Sequence, residues 1–170
     1  MASYIIRDYV QGDEEKICLL IMRVYEEFGF PWLPNSDNKD CYDIYSCYHE
    51  KGGAFWVVEK SGDVIGTCGY VPLSDERCEL KRMYLLSEVR GEGLGKELLA
   101  KTASHAFANG FNIMEIWSDK TLHQAHEFYK SQGATLIGDR LVKDSLEDES
   151  WEEWGFELDI EKYLMSLCED

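Results

Sequence analysis

The sequence predicts an α/β fold of the mixed (α+β) kind: a central sheet of about seven strands, mostly antiparallel, with helices on both faces. Three observations predict it. Apolar alternation of period two recurs in about seven short segments, three of them in succession before mid-chain. Amphipathic stretches separate the later strands, and such crossovers make part of the sheet parallel. A chain of 170 residues that is 45% hydrophobic suits one domain, 1–170, with a full core.

Taken in order, "YIIRDY" is a short first strand. Gly12 and Asp13 precede a helix to about Phe28, with Ile17, Leu20, Ile21 and Val24 on one face. "GFPWLPNSDN" breaks it, and a second helix is expected over Lys39 to His49. "GGAFWVVEKSGDVIGTCGYVPL" reads as a hairpin turning at Ser61-Gly62-Asp63, and "RCELKRMYLL" as a third strand. A glycine-rich turn leads into a helix from about Gly93 to Ala108, its inner face Leu94, Leu98, Leu99, Thr102 and Ala106. "NIMEIWS" is a strand, and "TLHQAHEFYKSQG" a helix stopped by Gly133. "ATLIGD" and "SWEEWGFELD" are the last strands, with Trp154, Phe156 and Leu158 alternating.

The net charge of −16 argues against nucleic-acid binding, which needs a basic face. It favours a cationic small molecule or simply solubility. Much of the excess lies in the tail "DSLEDESWEEWGFELDIEKYLMSLCED", whose role as a dimer strand, pocket edge or solubility feature stays open between monomer and homodimer. No apolar run reaches the roughly 18 residues of a membrane span, and "MASYIIRDYVQGDEEK" lacks the features of a signal peptide, so the cytoplasm is expected. Cys18, Cys41, Cys47, Cys68, Cys78 and Cys168 form no C-x-x-C pair and read as free thiols, with no metal site. His123 and His126, three apart, read as a packing or surface pair, and His126 is spaced to tune Tyr129.

The segment "RGEGLG" places unhindered N–H groups at the start of a helix, where orphan amides and the helix dipole favour an anion. Gly91, Gly93 and Gly95 allow phosphate oxygens close to the backbone, and Arg90 and Lys96 add charge at the rim. Glu97 after Lys96 spoils a Walker A loop, and the spacing spoils a dinucleotide fingerprint. Coenzyme A is the remaining class.

"RGEGLG" after "ELKRMYLL" resembles the acyl-CoA motif R/Q-x-x-G-x-G/A of the GNAT (Gcn5-related N-acetyltransferase) superfamily. The resemblance extends to "VIGTCGYVPL" and "AHEFYKSQGATLIG", covering about residues 54 to 138. It implies strands splayed into an acyl-CoA cleft and an acyltransferase that uses acetyl-CoA as cosubstrate, with no metal. The acceptor implied is a primary amine of a small, cationic or amino-acid-like molecule. A protein lysine or N-terminal acetyltransferase and a non-catalytic acyl-CoA sensor are the alternatives.

By the same resemblance, the backbone of Met83, Tyr84 and Leu85 holds the pantetheine arm, and the amides of Gly91, Glu92, Gly93, Leu94, Gly95 and Lys96 hold the pyrophosphate behind Arg90. Tyr129 matches the family tyrosine near the thioester sulfur, where a phenol can protonate the leaving thiolate; packing on the sheet is its other reading. Glu79 matches a strand carboxylate that can take a proton from the amine, and equally reads as a partner of Arg77 or Lys81. The family asparagine is missing from "WSDKTLHQAHEFY", and whether Asp119 of that segment replaces it stays open. Tyr42, Tyr45 and Tyr48 read as a core stripe or as an amine-binding wall, with Glu26, Glu27 or Asp43 supplying charge.

Overall fold

A computed structural model describes residues 3–169. In chain order the elements are β1 (Ile5–Asp8), α1 (Glu14–Phe28), β2 (Ala54–Lys60), β3 (Asp63–Pro72), β4 (Arg77–Leu85), α2 (Leu94–Ala108), β5 (Ile113–Asp119), α3 (His123–Ser131), β6 (Thr135–Asp144), β7 (Glu149–Asp159) and α4 (Ile160–Ser166). The strands form one sheet in the order β1-β2-β3-β4-β5-β7-β6. β4 and β5 run parallel, while β1/β2, β2/β3, β5/β7 and β6/β7 are antiparallel. The expected mixed, mostly antiparallel sheet of seven strands is therefore present. Among the described residues, no helix is long and apolar enough to cross a membrane.

The chain divides into two compact units. Lys81–Thr102 joins the chain up to Val71, and Pro72–Leu80 joins the chain from Ala103 onward. In the first unit, Ile17, Leu20 and Ile21 of α1 share a core with Ile44, Tyr48, Phe55 and Val57. Asp13, just ahead of α1, accepts the Val10 amide at 2.9 Å and takes both arms of the Arg7 guanidinium at 2.8 and 2.9 Å, fixing where the helix begins. Gly29, at φ 72°, ends it, as its left-handed backbone returns N–H to the Glu26 carbonyl. Ser61 and Gly62, both at positive φ, make the tight hairpin turn between β2 and β3.

The helix expected over Lys39 to His49 does not form as one element. A 3-10 turn spans Lys39–Tyr42 and a π-helical turn spans Tyr45–His49. Asp43 lies between them at φ −148°, and its carboxylate accepts the Ser46 amide at 3.1 Å, restarting the helix one turn later. The tyrosine stripe breaks with it: Tyr48 is buried, whereas Tyr42 and Tyr45 are 50% and 55% exposed.

In the second unit, Met114, Ile116 and Ser118 of β5 and Phe156 and Leu158 of β7 are buried. His126 and Tyr129 of α3 are buried too, their ring centroids 5.4 and 6.0 Å from that of Phe156. The acidic tail supplies β7, the strand expected from "SWEEWGFELD", and then α4, a helix that the sequence reading does not include. Asp159 caps α4 by accepting the Lys162 amide at 3.0 Å, and Ile160 and Tyr163 bury its inner side.

The six cysteines are unpaired, and four of them are buried. Burial pushes Cys18 up to about 11 and Cys68 and Cys78 up to about 12, so these thiols are poor nucleophiles near neutral pH.

Candidate active site

In the first unit, β4 passes through a 3-10 turn at Ser87–Val89 into the glycine-rich turn. Gly91 and Gly93 adopt φ of 82° and 87°, a region that residues with a Cβ rarely occupy. The first helical bond of α2 runs from the Glu97 amide to the Gly93 carbonyl at 3.2 Å. The N–H groups of Gly93, Leu94, Gly95 and Lys96 thus precede the helical ladder and gather at the positive end of the helix dipole. Leu94, Leu98 and Leu99 are buried and hold this helix start in place.

Arg90 is engaged on the protein itself. Its fork takes both oxygens of Glu27 at 2.6 and 2.8 Å, and its Nε donates to the Leu85 carbonyl at 2.9 Å. It therefore clamps the start of the turn to α1. Leu86 donates its amide to the Ile65 carbonyl at 3.1 Å, registering the end of β4 against β3. Burial raises the Tyr84 phenol well above its ordinary range, so it is neutral.

Glu79 and Tyr129 belong to the second unit. Glu79 is half-buried and lies opposite Glu115 in the parallel β4/β5 register. Its expected partner Arg77 instead binds Glu115 at 2.7 Å and Glu157 at 2.6 Å. Tyr129 is 6% exposed, on the inner side of α3. Asp119 accepts the Thr121 amide and hydroxyl at 2.8 and 2.6 Å, so its carboxylate shapes the loop before α3.

His126 packs as expected for a core histidine, its Nε2 3.2 Å from the Ser118 hydroxyl. Burial lowers its pKa below the ordinary 6.5. Folding therefore releases a proton from this imidazole as the pH falls below about 6.5, which sets the sign of its contribution. Its stabilisation is complete above the unfolded value and declines as the pH drops toward the folded one. Thermal midpoints measured from pH 7.5 to 5 are expected to fall, and His126→Gln should flatten that slope. Parallel profiles for the two proteins would remove His126 as the cause.

Arg82, which the sequence groups with Lys81, Arg90, Lys96 and Lys101 as a basic cluster around the glycine turn, is instead bound to Asp40 at 2.7 Å. No local signal marks its partner, because β4 carries Arg77, Glu79 and Lys81 besides Arg82.

A model described as the acetyltransferase (GNAT) family matches residues 21–134. The chain belongs to the GNAT acetyltransferases. It is 31% identical over 138 residues to the uncharacterized N-acetyltransferase YjgM of Escherichia coli (strain K12), covering 77% of this chain and 81% of that protein. N-acetyltransferase 8 of Rattus norvegicus is 26% identical and N-acetylaspartate synthetase of Danio rerio 29% identical, over 74% and 59% of this chain. The chain spans 62% and 36% of the lengths of those two relatives. Among solved structures, an acetyltransferase from Streptococcus agalactiae 2603 superposes with a TM-score of 0.79 at 19% identity, over 92% of this chain and 98% of that one. A GNAT family acetyltransferase from Elizabethkingia anophelis with acetyl-CoA bound superposes with a TM-score of 0.62 at 13% identity, over 94% and 99%. At such identities these structures support the GNAT fold.

Proposed function

We propose that this GNAT acetyltransferase moves an acetyl group from acetyl-CoA directly to the primary amine of a small, cationic or amino-acid-like molecule. The observation that carries the reading is the bare start of α2, where Gly91 and Gly93 hold positive φ and four amides precede the first helical bond. A diphosphate suits that cradle. Acetyl-CoA supplies an activated thioester, and the chain's own groups do the rest. The amides from Gly91 to Lys96 hold the pyrophosphate, with Lys96 adding charge. The backbone of Met83, Tyr84 and Leu85 aligns the pantetheine arm, and an N–H there stabilises negative charge developing on the acyl oxygen. Glu79 takes a proton from the acceptor ammonium, freeing the lone pair that attacks the acyl carbon. As the carbon–sulfur bond breaks, Tyr129 gives its phenolic proton to the departing sulfur, and the second proton lost by the acylated nitrogen restores the phenol while Glu79 returns its own to solvent. Holding amine and thioester together removes a large entropic part of the barrier.

For the acceptor, the reading rests on the aromatic segment between α1 and β2. The Trp32 indole donates to the Tyr42 hydroxyl at 3.0 Å, forming a surface pair whose ring faces suit a cation. The existence of a relative named N-acetylaspartate synthetase favours an amino-acid-like acceptor. Unpaired thiols suit the cytoplasm as the working compartment.

The test is thiol release from acetyl-CoA across amines, amino sugars, amino acids and basic peptides. Acceptor-dependent release is expected with a small amine, and Tyr129→Phe should lower kcat by about 100-fold. Release only with peptides would replace the small acceptor by a protein one. CoA binding without release on any acceptor would favour a sensor.

A further inference from the structure

We propose that Arg82 is a positioning residue that pins the acceptor-side segment 37–42 to the strand assigned to the cosubstrate; this rests on the function proposed above. Arg82 sits in β4, immediately before Met83, yet has φ 53°, a left-handed conformation that is strained for a residue with a Cβ. Its carbonyl accepts the Thr67 hydroxyl at 2.8 Å, which fixes the kink against β3. Its side chain is 7% exposed.

Each nitrogen of the guanidinium has a partner. Nε and Nη2 reach the two carboxylate oxygens of Asp40 at 3.1 and 2.7 Å. Nη2 also donates to the Asp37 carbonyl, and Nη1 to the Tyr25 hydroxyl at 2.9 Å. Four of its five N–H groups are thus spent on the protein itself, which marks Arg82 as a tie between segments. The partners are held in turn. The Tyr48 hydroxyl donates to Asp40 at 2.6 Å, and that of Tyr25 to the Asp37 carboxylate at 3.2 Å. Tyr25 lies edge-on to Trp32 and Tyr84, with centroids 5.6 and 6.0 Å away.

One planar fork therefore ties α1, the 37–40 turn and the kink of β4 together. A lysine, with a single point charge, cannot span those three directions. Continuing from Asp40, the same turn carries Tyr42 and through it the indole of Trp32. The glycine turn at 90–96 lies outside this network, and the Thr67 bond that holds β4 beside Met83 goes to the Arg82 carbonyl, which a side-chain substitution keeps, so the acceptor should respond more than the cosubstrate.

The test compares wild type with Arg82→Met and with Arg82→Met/Asp40→Asn, which removes both charges together should the single variant fail to fold. In a folded variant, amides of residues 33–45 are expected to exchange at least tenfold faster. The KM for the acceptor should rise at least tenfold, with the KM for acetyl-CoA changed less than threefold. Unchanged exchange in 33–45 overturns the proposal. So does an equal change in both KM values, which would mark Arg82 as a general structural residue. If wild type turns over no acceptor, the functional reading fails on its own, and exchange alone decides whether Arg82 pins the segment.

Discussion

Gly93→Val is expected to abolish measurable CoA binding while leaving the chain folded. Gly93 holds φ 87° and supplies the carbonyl for the first bond of α2. A β-branched residue is disfavoured there by about 1–2 kcal/mol, and its methyl groups would stand beside the amides assigned to the pyrophosphate. Calorimetric titration with CoA should show affinity lower by at least 100-fold, about 2.7 kcal/mol. Gly93→Ala shares the backbone strain with much less bulk and should lose less. Circular dichroism should be retained in both, because Leu94, Leu98 and Leu99 anchor the helix through burial. Wild-type affinity in the valine variant would sink the assignment of the turn.

The largest expected effect on stability is at Gly53, where space rather than backbone freedom is decisive. A Cβ there would lie 2.0 Å from the Tyr70 carbonyl oxygen and 3.2 Å from that of Tyr48. Both obstacles are main chain, and the Gly53 amide is itself bonded to the Tyr48 carbonyl at 2.9 Å. Relief requires β2 to move away from β3. Gly53→Ala is expected to cost about 3 kcal/mol and to lower the thermal midpoint by about 10 °C. Gly12→Ala is the control, because Gly12 has φ 105° but nothing within 4 Å of its Cβ. It carries backbone strain alone, of about 1–2 kcal/mol. Equal midpoints for the two variants would refute the steric account.

Legibility in the sequence followed the range of the forces involved. Most strands and α1 to α3 were readable because each announces itself within a few residues, by alternation or by a glycine stop such as Gly133, whereas β6 runs on to Asp144 past the expected "ATLIGD" because its second half is exposed and charged. The segment 39–49 was not, since Asp43 overrides helical periodicity with one side-chain bond that composition does not reveal. α4 was hidden because its acidic surroundings mask a short apolar face, although Asp159 stands at its cap. For the candidate site, the conformation of the glycine turn was legible because the positive φ of Gly91 and Gly93 is a local property of the backbone. The clamp from Arg90 to Glu27 and the Arg82–Asp40 pair join residues 63 and 42 positions apart, and no local pattern records them.

β6 closes the sheet at one end, and Leu136 and Leu141 on it are 53% and 56% exposed. A strand in that place offers unpaired main-chain groups to any other extended peptide. The chain surrounds the invitation with charge: Asp139, Arg140, Lys143 and Asp144 lie along β6, and Glu149, Glu152 and Glu153 along β7. The acidic surplus of this hairpin thus gives two copies a reason to repel each other where their backbones would otherwise join, and its colloidal behaviour is tied to pH and ionic strength.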